Sequence, residues 1–246
     1  MFTFLRKIRR SFIESESAKK YFVYATGEIF LVVIGILLAL QINNWNEERK
    51  LRLKSHQILQ EIRENITYNT NRFEEEIQEE NTVINSIDIV LDNLQHAKGY
   101  HDSLDFHFLM TAYFPSPVHK SAGYENLKDH GVDIIQSVPL KTAIIDLYEG
   151  YYAKLNDVTR ISYDNAANSI WPLYTQLFKT APTTPNQPFS SLRVIPFDYE
   201  SLLKSQHYQG LVSWWRHSRV VAIECRLDAI ERHKAILLEI DDELSN

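Results

Sequence analysis

The 246-residue chain has one cysteine, Cys225. A single thiol cannot form an intramolecular disulfide, and a cysteine-based zinc site needs several thiolates. Cys225 lies in a helical pattern among Val220, Val221, Ile223 and Leu227, where a buried and inert thiol is expected. Glycine and proline are missing from the whole stretch between Gly35 and Gly99, so no strong helix breaker interrupts it. Signatures of catalysis are missing too: there is no Gly-x-Ser-x-Gly, phosphate-binding loop, His-Glu-x-x-His or kinase set. His96, His101 and His107 are spaced by five and six, which does not stack them on one helix face. His130 beside Asp129, and His233 near Glu231, read as ordinary surface mixtures. No catalytic residue, cofactor-binding residue or metal ligand is assigned, no cofactor is expected, and the balance is against an enzyme.

What the chain does have is one long apolar run. Tyr21 to Ile42 is 22 residues with a single charge, Glu28. At about 1.5 Å per helical residue it spans the roughly 30 Å hydrocarbon core of a bilayer. A cleaved signal peptide is the rival reading, but its apolar part is shorter and ends at a small-x-small site. Here the run leads into Gln41-Ile42-Asn43-Asn44-Trp45-Asn46, and retention as an anchor is favoured. Tyr21, Phe22 and Tyr24 on one side and Trp45 on the other suit the two headgroup levels. Arg6, Lys7, Arg9, Arg10, Lys19 and Lys20 precede the run, against Arg49, Lys50, Arg52 and Lys54 after it. That bias favours a cytoplasmic N-terminus and an exported C-terminal region.

Glu28 has two readings: a functional intramembrane carboxyl, or, the one favoured, a group near the headgroups reaching toward Lys19 or Lys20. Gly27, Gly35 and Ala39 share one helix face, on which small residues would let a homo-oligomer or a membrane-protein partner approach closely.

The formal charge is −6, and the part beyond residue 46 carries 20 Lys/Arg against 29 Asp/Glu. An acidic domain is a poor nucleic-acid binder. The basic tail Arg6 to Arg10, with Phe2, Phe4, Leu5, Ile8 and Phe12, is better suited to a lipid surface, so the expected partner is the bilayer and not nucleic acid.

The expected fold is all-α. A transmembrane helix continues into a long stalk helix, and an antiparallel helical bundle follows, with a domain division of 1–20 basic cytoplasmic tail, 21–43 span and 44–246 helical extracytoplasmic domain. Apolar residues recur at Ile58, Leu59, Ile62, Ile66, Phe73, Ile77, Ile84, Ile87, Leu91 and Leu94, one amphipathic stripe of a long helix that ends by Gly99. Its charged face, including Glu74-Glu75-Glu76 and Glu79-Glu80, is read as solvated, and a bend is expected near Tyr68–Asn71. Asp102 and Ser103 can cap a short helix through about Tyr113. Ser121 opens another that Gly131 ends, and Ser137 with Pro139 starts a further one that Pro172 kinks or restarts. Thr180–Pro196 is a proline-rich loop with extended pieces such as Leu192–Ile195, and Asp198 caps a short helix. The last helix runs from about Gln209 to Leu244, with Leu211, Trp214, Val221, Ile223, Leu227, Ile230, Leu237 and Ile240 as its apolar face. Four main helices result, the first and last long ones paired, with aromatic side chains packed between them and their polar tips near solvent.

The runs Tyr24-Ala25-Thr26-Gly27-Glu28-Ile29 and Val33–Glu47, the latter reading VIGILLALQINNWNE, resemble the signature of an uncharacterised bacterial family of single-span membrane proteins. Its members begin with a basic tail, matched by Phe4-Leu5-Arg6-Lys7-Ile8-Arg9. A looser match lies at Ala122-Gly123-Tyr124-Glu125-Asn126-Leu127-Lys128-Asp129-His130-Gly131, followed by Leu140 and Tyr151-Tyr152. The resemblance implies a bacterial inner-membrane location and adds no activity.

Gly123–Gly131 is the segment best suited to a special local structure. Tyr124, Asn126, Lys128 and His130 are its candidate ligand or partner surface. The competing and favoured reading is close helix packing at the glycines, with Tyr124 and Leu127 in the core. Tyr151-Tyr152 and Trp214-Trp215 each place neighbouring aromatics about 100° apart on a helix, so one of each pair is expected to be partly exposed. The leading function is a membrane-anchored interaction or sensing module. The alternatives are an anchored enzyme of unrecognised type, with a polar cleft under the Thr180–Pro196 loop, and an envelope scaffold.

Overall fold

The computed structural model describes residues 16–115, 117–181, 186 and 188–245. The basic tail, with Arg6 to Arg10, lies outside the described residues, as do Pro182 and Pro185 of the proline-rich loop. The chain forms α1 (Glu16–Gln95), α2 (Leu104–Met110), α3 (Ala122–His130), α4 (Val138–Ile145), α5 (Tyr152–Asn165), α6 (Trp171–Leu177), β1 (Phe178–Thr180), β2 (Val194–Pro196), α7 (Tyr199–Lys204) and α8 (Gln206–Ser245). The fold is all-α, with one small antiparallel strand pair that sets Phe178 opposite Pro196 and Thr180 opposite Val194. The long helical runs among the described residues are three: α1, the stretch from α4 to α6, and α8.

Two units divide at Ser55 and His56. In the first, an 18-residue window near the N-terminus has a mean hydropathy of 2.3 and no buried residue, so the helix is long and apolar enough there to cross a membrane. Gly27, Glu28, Gly35 and Ala39 are all exposed on it, and no atom stands within 4 Å of where a Cβ on either glycine would lie.

The second unit is organised by a repeat. On α1, Leu59, Ile62, Ile66, Asn69, Phe73, Glu76, Glu80, Val83, Ile87, Val90 and Leu94 are buried at steps alternating between three and four. On α8 the same alternation runs through Tyr208, Val212, Trp215, Arg219, Ala222, Arg226, Ala229, His233, Ile236 and Ile240. This is heptad spacing, which keeps one seam of each helix facing a partner. Arg63–Asp241 (2.6 Å), Thr70–His233 (2.9 Å), Glu76–Arg226 (2.8 Å) and Asp88–Arg216 (2.6 Å) fix the pair as antiparallel. One apolar cluster gathers Ile58–Phe73 with α3, α4 and the C-terminal half of α8. A second gathers Val83–Leu94 with α2, α6, the strands and the start of α8.

Several expectations are corrected by this seam. Glu76 and Glu80 are fully buried, not on a solvated face, because Arg219 and Arg226 of α8 meet them there. The apolar face expected for α8 is displaced: Trp214 is 44% and Leu227 51% exposed, since Arg219, Arg226 and His233 occupy core positions. α1 runs unbroken through Tyr68–Asn71. The Asn69 side chain instead clamps the Lys120 backbone, accepting from its N–H (2.7 Å) and donating to its carbonyl (2.9 Å). The helix ends at Gln95, ahead of Gly99, where Ala97 adopts a positive φ of 45°. Ser103 makes no cap bond, and its hydroxyl pairs with His101 Nδ1 at 2.9 Å. Cys225 is half-buried, and its carbonyl accepts the Tyr151 hydroxyl at 2.5 Å. The Tyr148 hydroxyl and Trp215 indole N–H lie inside the packing, not near solvent.

Other local signals are realised. Ser137 Oγ accepts from Leu140 N–H with Pro139 in the first turn, and Asp198 accepts from Ser201 N–H. Pro172 sits in the first turn of α6, directly after a π-helical turn at Ala166–Ile170. Gly131 follows α3 at φ 89°, a conformation that favours glycine. Tyr152 and Trp215 are buried, while Tyr151 and Trp214 are partly exposed.

Candidate functional site

Gly123 lets α3 lie against α1. A Cβ there would stand 2.7 Å from Ile62 N and 2.9 Å from the Glu61 carbonyl carbon, so only glycine allows this approach. Its N–H donates to Asn65 Oδ1 at 3.0 Å. Tyr124 and Leu127 consequently enter the core, and Lys128 and Glu125 pair on the outer side at 2.8 Å.

A second π-helical turn, Asp146–Tyr151, joins α4 to α5. It brings Tyr148 against Tyr124 in a parallel stack at 4.6 Å and sets the Glu149 carboxylate beside the Tyr124 hydroxyl. Such turns recur where helices present side chains to a site. A pocket of about 240 Å³ opens here, lined by His119, Glu125, Lys128, Tyr148, Glu149 and Tyr152 together with smaller neighbours. Acidic, basic, hydroxyl and imidazole groups thus meet in one small space.

The pocket is backed by a chain of hydrogen bonds whose direction can be deduced. Thr70 Oγ1 gives its only proton to the Ile66 carbonyl (2.9 Å), so it must accept from His233 Nδ1 (2.9 Å). His233 Nε2 is then an acceptor and takes the Tyr152 hydroxyl proton at 2.7 Å. The Tyr152 oxygen in turn accepts from Asn69 Nδ2 at 3.0 Å. His233 stacks on Phe73 at 5.5 Å and is fully buried; burial, with a smaller effect of His119, depresses its pKa to about 4. Burial also lowers His119, whose ring lies 4.5 Å from that of Tyr152, and raises Tyr124, Tyr148 and Tyr152. The histidines are therefore neutral and the phenols protonated at pH 7. One polar atom stands apart: the Tyr148 hydroxyl is buried with no hydrogen-bond partner among the described residues.

Of the expected surface residues, Tyr124 and Lys128 line this pocket. Asn126 turns away and donates to Glu61 Oε2 at 2.8 Å, and exposed His130 bonds the Asn126 carbonyl at 3.0 Å. Glu28, Gly27, Gly35 and Ala39 belong to the other unit. His119, Tyr148, Glu149, Asn69 and His233 were not singled out as site residues. The Tyr151-Tyr152 pair is the nearest signal, and heptad spacing marks Asn69 and His233, whereas His119, Tyr148 and Glu149 lie outside both seam helices. Among the described residues no group of three or more His, Cys, Asp or Glu could hold a metal ion.

A family described as "Family of unknown function (DUF6090)" matches residues 28–187. The chain belongs to this family. The DUF6090 match begins at Glu28 and takes in every residue that lines the pocket, from His119 to Asn156, but not His233 behind it or Arg219 and Arg226 of the charged layer. No curated protein and no solved structure matches the chain.

Proposed function

We propose that this protein is a membrane-anchored helical binding or sensing module. It is held in a bacterial inner membrane by the 21–43 segment, with the N-terminus in the cytoplasm and the helical domain in the periplasm. The observation that carries the binding reading is the unpartnered Tyr148 hydroxyl beside a small pocket of mixed charge. An unpaired buried hydroxyl costs about 1–3 kcal/mol, and a ligand that pairs with it recovers that cost. The pocket is smaller than the 300–1,000 Å³ or so of drug-sized sites, and its carboxylates, ammonium and hydroxyls suit a compact polar solute of amino-acid size. The exposed face of Gly27, Glu28, Gly35 and Ala39 offers the route to a second membrane helix, from the same chain or another protein.

A specific observation also favours the anchored-enzyme reading: the pocket is a polar cleft gathering groups with shifted pKa values, among them neutral His119. No described residue of the Thr180–Pro196 loop lines it. Tyr152 and His233 have every donor and acceptor engaged with protein partners, which supports binding over proton transfer. The test is a thermal-shift screen of amino acids, small polyols and amines on the full chain in nanodiscs, run beside Tyr148→Phe. A compound that stabilises the wild type and not the variant supports the reading. A screen in which every active compound shifts both proteins equally refutes it.

A further inference from the structure

Three buried donors cluster around Phe114 with nothing to accept from them. Trp215 Nε1, Arg219 Nε and Arg219 Nη2 have no hydrogen-bond partner among the described residues, and both side chains are at most 1% exposed. The Arg219 guanidinium lies 3.9 Å over the Trp215 ring and 5.3 Å from that of Phe114. Glu80 reaches only Nη1, at 3.4 and 3.5 Å, while also standing 3.7 Å from Arg226. Nε and Nη2 form the edge by which arginine grips an oxyanion with two parallel bonds. Arg216 uses that same edge on Asp88, at 2.6 and 2.9 Å. All three orphan groups are donors only, so what satisfies them must bring acceptors.

Two cavities meet at Phe114. On the side of Arg219 and Glu80 is a cleft of about 10 Å³, room for one water at most. On the other is an open groove of about 430 Å³ lined by Leu109, Tyr113, Phe114, Tyr163, Trp171 and Phe189, mostly apolar. Phe114 is the one residue that lines both.

We infer that this region binds a carboxylate carrying an apolar body. The body lies in the aromatic groove, the Phe114 ring swings aside, and the carboxylate pairs with the Nε/Nη2 edge of Arg219 and accepts from Trp215 Nε1. The geometry suits one carboxylate, because Glu80 engages only Nη1 of Arg219 and leaves its two-donor edge open. This site is separate from the polar pocket and stands whether or not that pocket binds a ligand.

The test uses the full chain in nanodiscs of zwitterionic lipid, titrated with 4-phenylbutanoate and with its neutral amide, read by tryptophan fluorescence and calorimetry. The carboxylate binds saturably and at least tenfold more tightly than the amide. Glu80→Gln with Arg219→Met, which conserves net charge, abolishes that preference and leaves amide affinity within about twofold. Phe189→Ser, on the exposed rim, weakens both probes. Equal affinities, no saturable binding by the carboxylate, or a preference that survives the double variant would each overturn the inference. The comparison of the two probes on the wild type decides even where the double variant does not fold.

Discussion

Glu76 of α1 and Arg226 of α8 meet at 2.8 Å in the middle of the helix pair, and neither side chain is more than 4% exposed. Glu76 also takes Arg72 Nε at 3.1 Å and the Val118 N–H at 3.1 Å, while Arg226 donates to the Ala222 carbonyl. A charged layer therefore lies between the two apolar clusters and pins the register of the pair.

Removing one partner leaves the other buried and uncompensated. Glu76→Ala should cost about 3–5 kcal/mol. Glu76→Gln should cost less, since its carbonyl can still accept from Val118 N–H. Glu76→Leu with Arg226→Leu should recover much of the loss. Denaturant titrations of the wild type, Glu76→Leu, Arg226→Leu and the double variant, followed by circular dichroism, form the cycle, and strictly additive losses would show that the pair is not coupled.

At Gly123 the prediction is steric. Gly123→Ala should destabilise by about 1–3 kcal/mol, because the new Cβ meets helix backbone that cannot give way. Gly150→Ala, where nothing stands within 4 Å, should be neutral or slightly stabilising. Thermal melts of the two variants make the comparison, and similar melting points would contradict the close contact of α3 with α1.

His233 predicts a pH dependence. Its pKa is about 4 in the folded protein, against about 6.5 when unfolded. Between those values the unfolded chain binds the extra proton, so stability is full above pH 6.5 and falls as pH drops toward 4. The total is about 3 kcal/mol. His119, lowered for the same reason, acts in the same direction. His233→Gln should flatten this part of the profile. Urea midpoints measured from pH 7.5 to 4 check it, and an unchanged slope in the variant would assign the effect to other groups.

Tyr148→Phe separates stability from binding. It removes a hydroxyl that pays a desolvation penalty without a partner, so the melting temperature should hold or rise. A clear loss of stability would mean that the hydroxyl is already satisfied in the free protein.

The sequence pattern announced the helical class, the Ser137 and Asp198 caps, the close approach at Gly123 and the turn at Gly131, because each rests on local chemistry. The charged layer and the relay behind the pocket were hidden for one physical reason. Asn69, Glu76, Glu80, Arg219, Arg226 and His233 occupy heptad core positions, but each is polar and becomes buriable only through a partner far along the chain. The apolar residues of α8 alone point to a stripe through Trp214 and Leu227, with His233 on the surface. The Phe178–Thr180 strand is also a product of distance, since its pairing with Val194–Pro196 rests on a register that no local signal in β1 encodes.

Everything proposed about ligands depends on where the helical domain resides. The direct measurement is a pair of fusions after Asn246, one to alkaline phosphatase, which is active only in the periplasm, and one to a fluorescent protein that matures only in the cytosol. Phosphatase activity without fluorescence, in a protein that stays with the membrane after an alkaline wash, is the predicted result. Fluorescence without phosphatase activity, or release by the wash, would contradict the anchored and exported arrangement.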